Sequence, residues 1–157
     1  MSDVAAAAEA HIQANLDAEA RQAGSIPDAI GEAIPALCRT LPITRIVAIT
    51  RSGFAARMIA AQRPRQPSLA VSDDEVAARS FNLIAGTVGV FSETPFPKSS
   101  MDHIGDVLQL LWRRGRLTDD DMVLVTGVTY PHDGSRMNTI QIHRMADLIA
   151  SLKWRKQ

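Results

Sequence analysis

The sequence predicts an α/β domain whose mainly parallel sheet is covered by helices on both faces. Three observations carry this. The run Ile43-Thr44-Arg45-Ile46-Val47-Ala48-Ile49-Thr50 is short, β-branched and apolar, as expected of a strand buried on both faces. Helical patterns separate the first four such runs, and a helical crossover is what joins parallel neighbours. The fifth run follows the fourth with no helix between them. That connection is too short for a crossover, so the last strand should run antiparallel.

The elements follow in order. Residues Asp3 to about Gln22 are alanine-rich, with Ile12 and Leu16 in helical register, and Gly24 stops the pattern. Ser25 and Asp28 have capping-box spacing, with Pro27 in the first turn. The helix they open sets Ile30, Ile34, Leu37 and Leu41 on one side, and Pro35 should kink or split it. After the first strand, Arg51-Ser52-Gly53 is a tight loop. Phe54 to about Gln62 is a helix with Phe54, Met58 and Ala61 in register, ended by Pro64. Ser68–Val71 is the second strand. Ser72 is the expected cap of a helix that turns Val76, Ser80, Leu83 and Ile84 inward. Val88–Phe91 is the third strand, and Ser92–Ser100, with two prolines, is a loop. Met101–Arg114 is a helix with Ile104, Val107, Leu108 and Leu111 on one stripe, stopped by Gly115. Met122–Thr126 and Thr139–His143 are the last two strands, joined by a polar loop. A short helix, Met145–Lys153, ends in a basic tail. The organisation is thus a helical extension over 1–24, a domain over 25–144, and a helix with tail over 145–157.

Composition narrows the function classes. An apolar fraction of 46% with 22% charged residues suits a soluble globule. Seventeen basic residues balance seventeen acidic ones, so nothing predicts attraction to nucleic acid or an anionic membrane. Cys38 is the single cysteine, which excludes an internal disulfide and a cysteine-pair zinc site and suits the cytoplasm. No signal peptide and no membrane span are expected.

The stretch from Ile46 to Arg57 carries the most chemistry. A buried strand runs into hydroxyl, cation, hydroxyl and glycine, and then into a helix. The first amides of a helix have no partners within it and form its positive end. Thr50 and Ser52 add hydroxyls, Arg51 adds charge, and Gly53 admits close approach, which together make a cradle for one phosphate group. In open α/β sheets such loops lie at the carboxyl ends of strands, where ligands bind. The plainer alternative is that Ser52 caps the helix and Arg51 is solvated. The loop is neither a Walker A motif nor a dinucleotide fingerprint, because both glycine patterns are absent.

Thr50-x-Ser52-Gly53-x-x-Ala56, then Arg63-Pro64-x-x-Pro67, then the strand at Leu69-Ala70-Val71, resembles the C-terminal domain of pyruvate kinases. The second half agrees in Gly115, Asp121, Gly127 and Gly134-x-x-x-Asn138-Thr139, so the resemblance runs from about Pro27 to Arg144. It implies a three-layer α/β/α sandwich with a five-stranded mixed sheet, a regulatory phosphate on Thr50, Arg51, Ser52 and Gly53, and an effector loop at Gly134 and Ser135. It also implies assembly with a second copy or with a pyruvate kinase catalytic subunit, or else that the chain is a fragment of a pyruvate kinase whose catalytic part lies elsewhere. Departures limit the ligand. Ala55 replaces a second hydroxyl, and the positions that would hold a second phosphate fall near Pro97 and Ile104, neither of which binds an anion. A sugar or nucleotide monophosphate therefore fits better than a bisphosphate. The catalytic barrel of the family has no counterpart here, so no catalytic residue, metal or cofactor is expected.

Other candidates are weaker. Asp119-Asp120-Asp121 reads as a solvated turn before a strand rather than a cation site. His132 and Asp133 suggest a small phosphate-ester enzyme as an alternative, although no nucleophile accompanies them. Cys38, His11 and His143 read as structural or surface residues, and Lys153-Trp154-Arg155-Lys156 as a frayed terminus.

Overall fold

The computed structural model describes residues 24–96, 102–128 and 137–155. The expected helix over Asp3–Gln22, and the residues Pro97, His132, Asp133, Gly134 and Ser135, lie outside the described residues. Five strands form one sheet: β1 (Arg45–Ile49), β2 (Ser68–Ser72), β3 (Thr87–Phe91), β4 (Met122–Gly127) and β5 (Thr139–Arg144). Their order is β3-β2-β1-β4-β5. The first four are parallel, and β5 pairs antiparallel with β4, from Met122 opposite Arg144 to Gly127 opposite Thr139. The short β4–β5 connection dictates that reversal.

The helices are α1 (Ile26–Thr40), α2 (Phe54–Ala61), α3 (Glu75–Ser80), α4 (Asp102–Arg113) and α5 (Met145–Leu152). The two faces of the sheet hold separate cores. Ile46 and Ala48 of β1 pack with Ile34, Ile59 and Phe81 on the side of α1, α2 and α3. Val47 and Ile49 pack with Val107, Leu108, Leu111 and Trp112 on the side of α4 and α5. Alternate residues of one fully buried strand thus serve both layers, which is why β1 shows no polar alternation.

Ser25 caps α1 as its spacing predicts, accepting from the Asp28 N–H at 3.3 Å and donating to Asp28 Oδ2 at 2.6 Å. Pro35 does not split α1, which is one helix of 15 residues. The missing donor deprives only the carbonyl of Gly31, four residues back. On α2 the buried residues are Ala55, Ala56 and Ile59, while Ala61 is exposed.

The third helix departs from its expected phase. Ser72 is the last residue of β2 and is fully buried. Asp74 is the cap, accepting from the Ala77 N–H at 2.8 Å. Ala78 and Phe81 turn inward, whereas Val76 and Leu83 are among the most exposed apolar residues described. Starting two residues later rotates the helix by about half a turn. The tight approach to β3 then demands a small side chain, because a Cβ on Gly89 would lie 1.8 Å from the Ala78 carbonyl. The basic tail packs back as far as Trp154 rather than fraying from Lys153. Trp154 donates its N–H to Ile149 O at 3.1 Å, and its ring lies 6.1 Å from that of Trp112. Among the described residues no helix is long and apolar enough to cross a membrane.

Candidate functional site

The chain leaves β1 through α2 on one face of the sheet and enters β4 from α4 on the other. The carboxyl ends of β1 and β4 therefore flank the point where the winding direction reverses, and a crevice opens there in such sheets. The two ends come close. A Cβ on Gly127 would lie 3.1 Å from Ile49 O, so glycine is the residue that lets the strand ends meet.

The loop after β1 occupies this point. Thr50 is nine-tenths buried, with its N–H bonded to Val71 O at 2.9 Å. Its hydroxyl has no partner among the described residues. No buried side-chain oxygen or nitrogen there lacks a hydrogen bond, so this hydroxyl sits where solvent reaches it. Ser52 is exposed and does not cap α2. Gly53 holds the N-cap position with φ 74 and ψ 9, a left-handed conformation that favours glycine. A side chain there would also strike the Phe81 ring at 2.7 Å. α2 consequently begins with no side-chain cap and no acidic residue in its first turn, unlike α1 and α3.

Arg51 does not stand free in the loop. Its Nε donates to Asp73 Oδ1 at 3.0 Å, and its Nη2 donates to Asp73 Oδ2 at 2.8 Å and Phe96 O at 2.9 Å. Asp73 in turn accepts from the Phe96 N–H at 2.9 Å. The segments that follow β1, β2 and β3 are thereby tied together at the carboxyl edge. Burial alone would raise the Asp73 pKa, but the hydrogen bonds from Arg51 and Phe96 outweigh it and hold the carboxyl below its ordinary value. Arg51 thus braces the loop, with its charge matched by Asp73.

A second arginine reaches the loop. Arg57, in the first turn and a half of α2, donates from Nη2 to Ser52 O at 3.0 Å. No acidic side chain among the described residues pairs with it. Sequence reasoning missed both Asp73 and Arg57. The available signal for Asp73 was its place just past β2, at the same sheet end as Arg51. For Arg57 it was the tilt of helical side chains toward the N-terminus.

The remaining candidates resolve individually. Ile104 is buried in the α4 core, where it offers an anion nothing. Asp121 is no solvated turn residue. It accepts from Thr44 Oγ1 at 2.6 Å and from the Thr118 N–H at 2.6 Å, which fastens the start of β4 to the start of β1. Asp119 accepts from Trp112 Nε1 at 2.6 Å. Burial pushes the Cys38 thiol pKa up, away from reactivity. His143 bonds to Gln141 at 2.9 Å beside a groove of about 490 Å³ between α4, β5 and α5, far in sequence from the loop.

Residues 28–143 match the family model described as the alpha/beta domain of pyruvate kinase. The chain belongs to this family. Among curated relatives, the pyruvate kinase of Geobacillus stearothermophilus is 30% identical over 80% of this chain and 21% of its own length. That of Bacillus licheniformis is 29% identical over 86% of this chain and 23% of its own. A crystal structure of a pyruvate kinase from Cryptosporidium parvum superimposes with a TM-score of 0.63 at 21% identity, covering 79% of this chain and 23% of that one. The chain therefore spans about a fifth of the length of these pyruvate kinases, with the alpha/beta domain accounting for the match. The five-stranded mixed sheet is that of the family, and the resemblance seen in Thr50-x-Ser52-Gly53 and Arg63-Pro64-x-x-Pro67 falls inside the matched span.

Proposed function

We propose that this chain is a cytoplasmic regulatory and assembly module of the pyruvate kinase type, which binds the phosphate of a sugar or nucleotide monophosphate on the loop Thr50–Gly53. Phosphotransfer from phosphoenolpyruvate to ADP belongs, in this reading, to a catalytic barrel carried elsewhere. One observation supports the reading above others. A nine-tenths buried threonine whose hydroxyl has no partner among the described residues lies beside an uncapped, electropositive helix start at the reversal point of the sheet. Thr50, Ser52 and Gly53 contact the phosphate, and Arg51 shapes the loop through Asp73. Gly134 and Ser135 close over the ligand as the resemblance implies.

Calorimetry and thermal shift with a panel of sugar and nucleotide monophosphates test it. Saturable binding that Thr50→Val weakens about five- to tenfold, the equivalent of ~1 kcal/mol for one hydroxyl, is expected. A panel with no ligand, or binding indifferent to both Thr50→Val and Ser52→Ala, removes the effector reading.

A second reading, self-association, is favoured by the two edges of the sheet. The outer side of β3 is partly occupied. The Thr87 N–H bonds to Ile84 O, the Gly89 N–H to Asn82 Oδ1, and Phe91 O accepts from Arg114 Nη1. The sheet ends at β5 on the other side, and among the described residues no strand pairs with that edge. Unpaired strand edges are templates for pairing with another chain.

A further inference from the structure

We infer that Arg57, rather than Arg51, supplies the full positive charge of the phosphate cradle, and that the site selects a dianionic phosphomonoester over a monoanion. The inference rests on the reading of the Thr50–Gly53 loop as a phosphate site and names the charge that the site uses. Arg51 is excluded by its partners: both of its donating nitrogens serve Asp73 and Phe96, so its charge is neutralised within the protein. Arg57 sits differently. Its guanidinium folds back along α2, donates one N–H to Ser52 O, and keeps its other donors unassigned among the described residues. Its Nη1 lies 3.1 Å from the position a Cβ on Gly53 would take, so it covers the loop at its glycine.

That placement is electrostatically unfavourable for the protein alone. The start of a helix carries positive partial charge, and cations are favoured at the other end. α2 has neither a side-chain cap nor an acid in its first turn, and no carboxylate pairs with Arg57 among the described residues. The unpartnered hydroxyl of the nine-tenths buried Thr50 points independently to an oxygen-bearing ligand at the same loop. An anion there would relieve the repulsion and give the Thr50 hydroxyl an acceptor in place of solvent. A dianion gains twice the Coulomb energy of a monoanion from the same guanidinium and helix end. The ligand should therefore bind more tightly as pH rises through its own second ionisation, near pH 6 for a phosphomonoester.

The test uses the full chain, inorganic phosphate as probe, acetate as the monoanion control, and backbone amide NMR to locate binding. The expected result is that phosphate shifts the amides around Ser52 and Gly53, while acetate does so at least tenfold more weakly. Arg57→Gln should reduce phosphate affinity at least tenfold and flatten its increase between pH 5.5 and 7.5, leaving only the part the helix end supplies, with Arg57→Lys restoring part of both. Arg51→Gln should lower the melting temperature more than Arg57→Gln does. If wild-type chain binds phosphate at the loop and Arg57→Gln binds it equally, the charge assignment is overturned and the phosphate site stands. If phosphate never perturbs the loop, the site itself is overturned, and Arg57 with it.

Discussion

Two carboxylates, Asp73 and Asp121, hold together segments distant in sequence. Asp121 lies 77 residues from the Thr44 hydroxyl it accepts from, and its carboxyl is likewise held below the ordinary range. Burial opposes that shift, and the hydrogen bonds from Thr44 and Thr118 overcome it. Both groups have a lower pKa folded than unfolded. Each therefore adds stability above the unfolded value of about 4, which is lost as pH falls through the lowered folded value. Thermal melts should be nearly level from pH 7 to 5 and fall steeply below about 4. Asp121→Asn should cost roughly 1–3 kcal/mol at neutral pH, because a buried acceptor of several hydrogen bonds is replaced by a group that also donates. It should also flatten part of the acid decline in a melt series. At this scale the sequence was partly legible. The place of Thr50, Ser52 and Gly53 between β1 and α2 was readable from local order, since strand, hydroxyl and glycine are adjacent in the chain. The Arg51–Asp73 pair was not, because which loop meets which depends on strand order.

Among the elements, the strands were easiest to read and α3 the hardest. β1, β2 and β4 are nearly continuous apolar runs, buried as such runs must be in a covered parallel sheet. For α3 the sequence pointed to Ser72 as the cap, whereas Asp74 fills that place and α3 packs closely against β3. The residue that enforces the outcome is Gly89. Gly89→Ala would drive a methyl into the Ala78 backbone, for which no side-chain rotation compensates. The expected cost is about 2–4 kcal/mol, the range of a severe overpacking error, measured by urea unfolding with an unchanged m-value. Gly86→Ala offers the contrast. Nothing lies within 4 Å of its Cβ position, and its positive φ of 69 should cost only about 1 kcal/mol. The fate of Trp154 was illegible for another reason: a basic tail looks soluble, and the ring of Trp112 within the core beneath α4 and α5 gives it somewhere to go.

For the molecule as a whole, the two cores share one sheet, so disruption of either face loosens the strand ends that carry the candidate site. Association through β5 has a direct check. Alternate residues of an edge strand turn their N–H groups outward, so proline at one of the two neighbours Gln141 and Ile142 leaves the β4–β5 ladder intact. Light scattering should then show a larger wild-type mass reduced to that of one chain by whichever variant keeps the wild-type melting temperature. Two folded variants of undiminished mass, or a wild type already of single-chain mass at high concentration, would speak against the β5 edge.

The partly blocked margin at β3 has a further result. Asn82, Ile84 and Arg114 consume part of the hydrogen-bonding capacity along that strand, so among the described residues β5 is the flank more open to backbone pairing. If association runs through β5, growth by that route would stop once two flanks have met, because the joined pair would present the partly occupied β3 at either extremity. Under that proposal the expected product is a discrete particle of twofold symmetry rather than a fibre.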